Sequence, residues 1–245
     1  MTTLPDKNIH TGSLILINPE YSFREKTNTQ LISVCDMAPD ILLQRDAATL
    51  LNRLMEDIGG WRCIAPVSGW RSYEEQHKIW EESLQENGEA FTRKYVAYPG
   101  HSEHETGLAI DLGLKQNHID FIRPDFPNTG ICRTFRRLAA TYGFILRYPA
   151  GKESVTGIGY EPWHFRYVGV PHAEIMVQHA LTLEEYIDFI RQYPFGEKPY
   201  RLQKNTQELL IGFISESGTA QLPGNRPYTI SGNNVDGFIL TEWRQ

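Results

Sequence analysis

The stretch Tyr98–Asp111, YPGHSEHETGLAID, holds two histidines, three carboxylates and two glycines. The zinc-protease helix signature H-E-x-x-H does not explain it, because that motif needs a second histidine one helical turn on, and Leu108 stands there after His104-Glu105. The segment GLAIDLG, beginning at Gly107, alternates apolar side chains at period two and stops at Gly113, which is a strand pattern. A turn through Gly107 would let the backbone bring His104, just before the strand, and Asp111, within it, to one point. A nitrogen and an oxygen ligand of this kind suit zinc. Taken singly, either side chain is more often an ordinary surface residue.

Upstream, Leu50, Leu51, Leu54, Met55 and Ile58 recur at helical spacing, predicting a helix over about 47–58 that Gly59-Gly60 stops. RCIAPVSGW then reads as a short buried strand entering a turn. Ser72 with Glu75 forms a capping box that opens a helix ended by Gly88. The first forty residues read as an irregular arm, with Leu14–Ile17 suited to a strand. Downstream, Leu114–Asn128 is long and unpatterned, the texture of a lid. ICRTFRRLAATYG predicts a helix stopped by Gly143, FILRYP and WHFRYVG predict strands, and Thr182 with Glu185 opens a further helix.

From about Phe195 short strand-like pieces alternate with Gly, Pro and Asn. The order of elements predicts an α+β fold: a small, mostly antiparallel sheet flanked by helices and carrying the metal site, with a β-rich C-terminal extension. The expected division is a catalytic domain over residues 1–194 and an extension over 195–245.

Bulk properties exclude other classes. Lys plus Arg number 24 against 30 Asp plus Glu, for a formal charge of -6, and no run of five or six like charges occurs. That argues against a nucleic-acid or polybasic membrane surface. No run of 18 apolar residues spans a membrane, and the N-terminus lacks the pattern of a secretory leader. Cys35, Cys63 and Cys132 are too few and too odd in number for an all-disulfide framework, so they read as buried small hydrophobes in a reducing compartment.

Two further clusters bear on chemistry. In Glu161-Pro162-Trp163-His164, His164 could be a third ligand, leaving the open position that marks a catalytic zinc, with Glu161 placed to take a proton from water. The plain alternative is a surface glutamate and a half-buried histidine beside a core tryptophan. In SGWRSYEEQ, Arg71 could aim its planar donors at a carbonyl or carboxylate, with Gln76 reaching the same ligand. Taken alone, that stretch is better explained by a solvated arginine and an exposed glutamine.

Together and in this order, S-G-x-R-S, S-x-H-x-x-G-x-A-x-D and E-x-x-H resemble the zinc D-Ala-D-Ala peptidases of the VanX, VanY and VanXY group, over roughly residues 47–169. The resemblance implies zinc held by His104, Asp111 and His164, Glu161 as general base, and Arg71 stabilising the oxyanion of the tetrahedral intermediate. It further implies that Gln76 and Ser102 hold the substrate's terminal carboxylate; Tyr148 and Ser154 are added as wall and carboxylate contacts. His101 and Glu103 fall off the ligand register, and Glu103 and Glu105 are expected to be solvated or to stand behind the ligands.

Without a membrane segment the chain looks like the cytoplasmic VanXY type. That type acts on free D-Ala-D-Ala and on pentapeptide precursors of peptidoglycan, in vancomycin-type glycopeptide resistance. The Leu114–Asn128 loop is where tolerance for both substrates is expected, and the tail is expected to be a packing cover or a homodimer surface. Alternatives are a wall endopeptidase cutting L-Ala-D-Glu bonds and a zinc-containing binding domain like that of hedgehog proteins, which would need neither Glu161 nor Arg71. A serine hydrolase at Ser68 or Ser102 lacks its G-x-S-x-G elbow.

Overall fold

The computed structural model describes residues 8–24, 30–218 and 222–244. These fall into two compact units, one of residues 17–182, the other of the stretch up to Leu16 together with the chain from Leu183 onward.

In the first unit the chain runs β1 (Leu31–Cys35), β2 (Ala38–Gln44), α1 (Arg45–Asp57), β3 (Ile64–Ser68), α2 (Tyr73–Asn87), α3 (Glu89–Tyr95) and β4 (Ala109–Leu114). It continues through α4 (Gly130–Leu138), β5 (Phe144–Leu146), α5 (Glu153–Thr156), β6 (His164–Tyr167) and α6 (His172–Gln178). Strands β3, β4, β6 and β5 form, in that order, an entirely antiparallel sheet. The period-two pleat gives each strand two faces. One face sends Ile110, Leu112 and Phe165 into a core shared with Leu51, Leu54 and Met55 of α1 and with Phe135 of α4. Phe165 meets Phe126 and Phe135 edge-on at centroid distances of 5.3 and 4.8 Å. Burial of each such side chain contributes roughly 1.5–3 kcal/mol, so this face is fixed and the opposite face is free to carry polar groups.

The capping box that opens α2 is present: the Glu75 N–H donates to Ser72 Oγ at 3.1 Å and the Ser72 N–H to Glu75 Oε2 at 2.7 Å. Gly143, at φ 85°, ends the short 3-10 turn that follows α4. Residues 115–129 contain no helix or strand.

Three expectations are corrected. The supposed irregular arm contains the β1–β2 hairpin, whose alternation is hidden because Ser33–Cys35 is irregular in register and Pro39 interrupts the pattern. Leu14–Ile17 is buried but is not a strand. The polar backbone of Leu14 and Leu16 is satisfied by side chains and turns instead, with the Leu14 N–H on Ser231 Oγ, the Leu16 N–H on the Asn233 carbonyl and Asn234 Nδ2 on the Leu16 carbonyl. All three cysteines are free, but only Cys132 is buried; Cys63 is exposed.

In the second unit, α7 (Leu183–Arg191) precedes β7 (Tyr200–Lys204), β8 (Gln207–Ser215), β9 (Tyr228–Gly232) and β10 (Gly237–Arg244). These strands form an antiparallel sheet in the order β7-β8-β10-β9, the β-rich region expected from the texture of the sequence. Ile9, Ile214, Phe238 and Leu240 make its small core.

Candidate metal and catalytic site

Strand register builds the site. Asp111 on β4 lies directly opposite His164 on β6, and Ala109 opposite Arg166. The pleat therefore sets Asp111, His164 and Arg166 on the face away from Phe165. His104 arrives from a 3-10 turn, Glu103–Thr106, that ends at Gly107 with φ 70°. A side chain on Gly107 would strain that backbone and meet Leu31 Cδ2 at 2.8 Å. Glu105 pins the turn, its Oε1 accepting the N–H groups of Gly100 and Ser102 at 2.8 and 3.4 Å.

His104 Nδ1 donates to the Gly69 carbonyl at 2.7 Å. This fixes the tautomer and leaves Nε2 unprotonated, 3.1 Å from Asp111 Oδ2. Gly69 allows that approach because it is packed against β2, where a Cβ would lie 2.4 Å from the Leu42 carbonyl oxygen. His164 places Nδ1 2.9 Å from Asp111 Oδ1 and Nε2 3.4 Å from Glu103 Oε2. Ligand atoms of His104, Asp111 and His164 all lie within 4.8 Å of one another, and all three residues are buried. The donor set fits a metal ion: one nitrogen of each imidazole turns toward the same carboxylate, while the other is held from behind by a carbonyl or carboxylate.

Burial, and then the nearby Arg71 charge, lower His104 to about 4. Burial would also lower His164, but hydrogen bonding and charge from Asp111, with Glu103 and Glu161, outweigh it and raise this group to about 9. Asp111 goes the other way, since burial would raise it yet His104 and His164 hold it well below the usual carboxylate range.

Glu161 stands outside the ligand triangle, with Oε2 3.7 Å from His164 Nδ1. Burial pushes it up to about 8, partly opposed by His164. Arg71 lines the same cavity, its Nη2 3.8 Å from Asp111 Oδ2. Its Nε is buried with no hydrogen-bond partner among the described residues. Gln76 and Ser102 are buried in the cavity wall. Gln76 Nε2 donates to the Ala97 carbonyl at 2.7 Å, and its Oε1 is buried without a partner among the described residues. Tyr148 also lines the cavity, its ring 4.9 Å from that of His164.

Ser154 is not brought in: it is exposed on the one-turn helix α5 and lies outside the cavity lining. Neither the solvated reading of Arg71 and Gln76 nor the surface reading of Glu161 survives their burial.

The option of a solvated Glu103 is corrected as well. Glu103 is fully buried, its Oε1 accepting from Arg147 Nε at 2.7 Å and Arg166 Nη1 at 2.8 Å. Burial would raise its carboxyl, but the two guanidinium groups hold it far below its usual range. A signal was available for Arg166, since period two puts it on the His164 face once Phe165 is assigned to the core.

A buried His-Asp-His cluster that could hold a metal ion, with a carboxylate beside it in one cavity, is an arrangement suited to a metallohydrolase. The chain belongs to the VanY family, described as D-alanyl-D-alanine carboxypeptidase, whose family model matches residues 40–170. It is therefore a peptidase of a metallopeptidase family, as the motifs implied. It is 43% identical to the bifunctional D-Ala-D-Ala dipeptidase and D-Ala-D-Ala carboxypeptidase VanXYC of Enterococcus gallinarum, over 74% of this chain and 96% of that protein. Among solved structures it matches the vancomycin resistance D,D-dipeptidase VanXYg, in complex with a D-Ala-D-Ala phosphinate analog, with a TM-score of 0.93 and 49% identity over 96% and 95% of the two chains. A point mutant of the D,D-pentapeptidase VanY from a VanB-type resistance cassette, in complex with Zn(II), matches with a TM-score of 0.61 and 29% identity over 71% of this chain and 98% of that one.

Proposed function

We propose that the protein is a zinc-dependent D,D-peptidase that hydrolyses free D-Ala-D-Ala and removes the terminal D-Ala from peptidoglycan pentapeptide precursors, contributing to vancomycin-type glycopeptide resistance. The observation that carries the reading is the convergence of His104, Asp111 and His164 with Glu161 3.7 Å from one of them. The similarity to a bifunctional dipeptidase and carboxypeptidase supports the pairing of substrates. Zinc, when bound by the three ligands, supplies a Lewis acid that polarises the scissile carbonyl and acidifies water near neutral pH.

The chain's own groups do the rest. Glu161, a buried carboxylate beside the three ligands, takes a proton from water and returns it to the leaving amine. Arg71 lines the cavity and carries a positive charge, with an Nε that has no partner among the described residues, suited to the substrate oxygen that gains charge. Ser102 and Gln76 orient the terminal residue, Gln76 Oε1 being an acceptor for a substrate N–H. Tyr148 walls the site. Phe121 and Ile122 of the Leu114–Asn128 loop line the same cavity, so this loop covers the terminal residues. Among the described residues no helix is long and apolar enough to cross a membrane. The three free thiols suit a reducing cytoplasm, where such precursors are made.

The test pairs free D-Ala-D-Ala with a UDP-linked muramyl pentapeptide, using the wild type, a chelated sample restored by zinc, and Glu161→Ala. Release of D-Ala from both substrates is expected, abolished by chelation, restored by zinc, and lowered about 100- to 10,000-fold in Glu161→Ala. Release from neither, with zinc bound, would sink the proposal.

A further inference from the structure

A second cavity, of about 240 Å³, adjoins the one beside the ligands, whose volume is about 40 Å³. Val96, Ala97, Tyr148 and Ile158 line both. The walls of the second alone include Pro19, Trp80, Tyr98 and His101. Trp80 and Tyr98 meet edge-on at 5.3 Å; Trp80 is buried and Tyr98 is 57% exposed, so the tyrosine ring stands open to solvent with the tryptophan behind it. His101 Nδ1 donates to the Asn18 carbonyl at 2.8 Å, which leaves Nε2 as an acceptor for a peptide N–H. None of the metal ligands, and no residue of the Leu114–Asn128 loop, contributes to this wall.

We propose that the second cavity is the subsite for the substrate chain on the amino side of the scissile bond. The inference rests on the peptidase reading and deepens it. The narrow first cavity receives the small terminal residues. An N-acylated peptide then continues across the shared Ala97 and Tyr148 rim, laying the methylene and methyl surface of its next residue on Trp80 and Tyr98. A free dipeptide ends at its ammonium group, before this rim, and makes no use of the second cavity. One ligand set thus serves two substrate lengths, with discrimination placed in a wall that only the longer one touches.

The test is kcat/KM for free D-Ala-D-Ala and for diacetyl-L-Lys-D-Ala-D-Ala with the zinc-loaded wild type, Tyr98→Ala and Trp80→Leu. The expected result is a loss of about tenfold on the acylated tripeptide, the size of one good aromatic contact, with the dipeptide rate kept within about twofold of wild type. Equal losses on both substrates, or no loss on either, would overturn the subsite. Trp80 is buried and its replacement tests the fold as well, whereas Tyr98→Ala removes an exposed ring, so a failure of the Trp80 variant to fold leaves the Tyr98 variant decisive. A wild type inert to both substrates removes the peptidase reading itself, and the subsite falls with it.

Discussion

Glu103 in the first unit and Glu242 in the second each sit between two arginines, but the oxygens are used differently. Glu103 takes both Arg147 and Arg166 on Oε1, keeping Oε2 for His164 3.4 Å away. Glu242 takes Arg226 on Oε1 and Arg244 on Oε2, at 2.7 and 3.2 Å. Exposure differs too: the side chains of Glu103, Arg147 and Arg166 are all 0% exposed, whereas Arg226 is 58% and Arg244 34% exposed. The same three charges therefore make an orienting device in one place and a surface clamp in the other. What separates them is whether water shares the charge and whether an oxygen is left to act on a neighbour.

The largest expected effect comes from breaking the buried set. Glu103→Ala leaves two guanidinium groups buried without their carboxylate, and removing one partner of such a set destabilises by roughly 3–5 kcal/mol. Thermal unfolding reads this directly. Glu103→Gln keeps the shape but weakens the hold on His164 Nε2, and competition with a chromophoric chelator should show zinc affinity lowered about 10- to 100-fold. Unchanged affinity in a folded Glu103→Gln protein would reduce the set to a stability element like its counterpart.

An arginine with only a long contact to its carboxylate, Arg71 Nη2 to Asp111 Oδ2 at 3.8 Å, sharpens the contrast. Arg71 is largely but not fully buried, its side chain 14% exposed, and burial lowers its guanidinium below the usual value although Asp111 and Glu161 oppose the shift. Its Nε nevertheless has no partner among the described residues. Arg71→Lys retains a charge and loses the planar fork. The expected outcome is a fall in kcat of about 100-fold with zinc affinity and melting temperature near wild type. A drop in melting temperature matching that of Glu103→Ala would make Arg71 structural.

The contrast also explains how much of the fold and of the site is legible in the sequence. His104, Asp111, Glu161 and His164 were legible because their spacing within two short motifs is local, and a period-two strand converts spacing into a face. The antiparallel sheet and the β-rich tail were legible for the same reason. The association of Glu103 with Arg147 and Arg166 was not, since it depends on packing between segments more than forty residues apart, and nothing local distinguishes Glu103 from Glu105. The β1–β2 hairpin was missed where Pro39 and a register irregularity hide the alternation. The position of Ser154 was not legible, because sequence alone does not say which way the one-turn helix α5 presents a side chain, and here it leaves Ser154 exposed and outside the cavity lining.

Glu242 should give the smallest effect. Burial would raise its carboxyl, but Arg226 and Arg244 outweigh that and leave it below its usual value. Because the folded value lies below the unfolded one of about 4.3, the stabilisation is fully present above that pH and is lost as pH falls through the folded value. With both arginines partly in water, solvent screening limits the cluster to roughly 1 kcal/mol or less. Glu242→Gln should therefore lower the melting temperature slightly at pH 7, with the difference from wild type shrinking as the pH is taken below about 4. A pH-independent difference would mean that the substituted amide disturbs packing in β10 and that charge was not the cause. A loss as large as that of Glu103→Ala would erase the distinction between the two clusters, since exposure would then no longer govern what an arginine pair contributes.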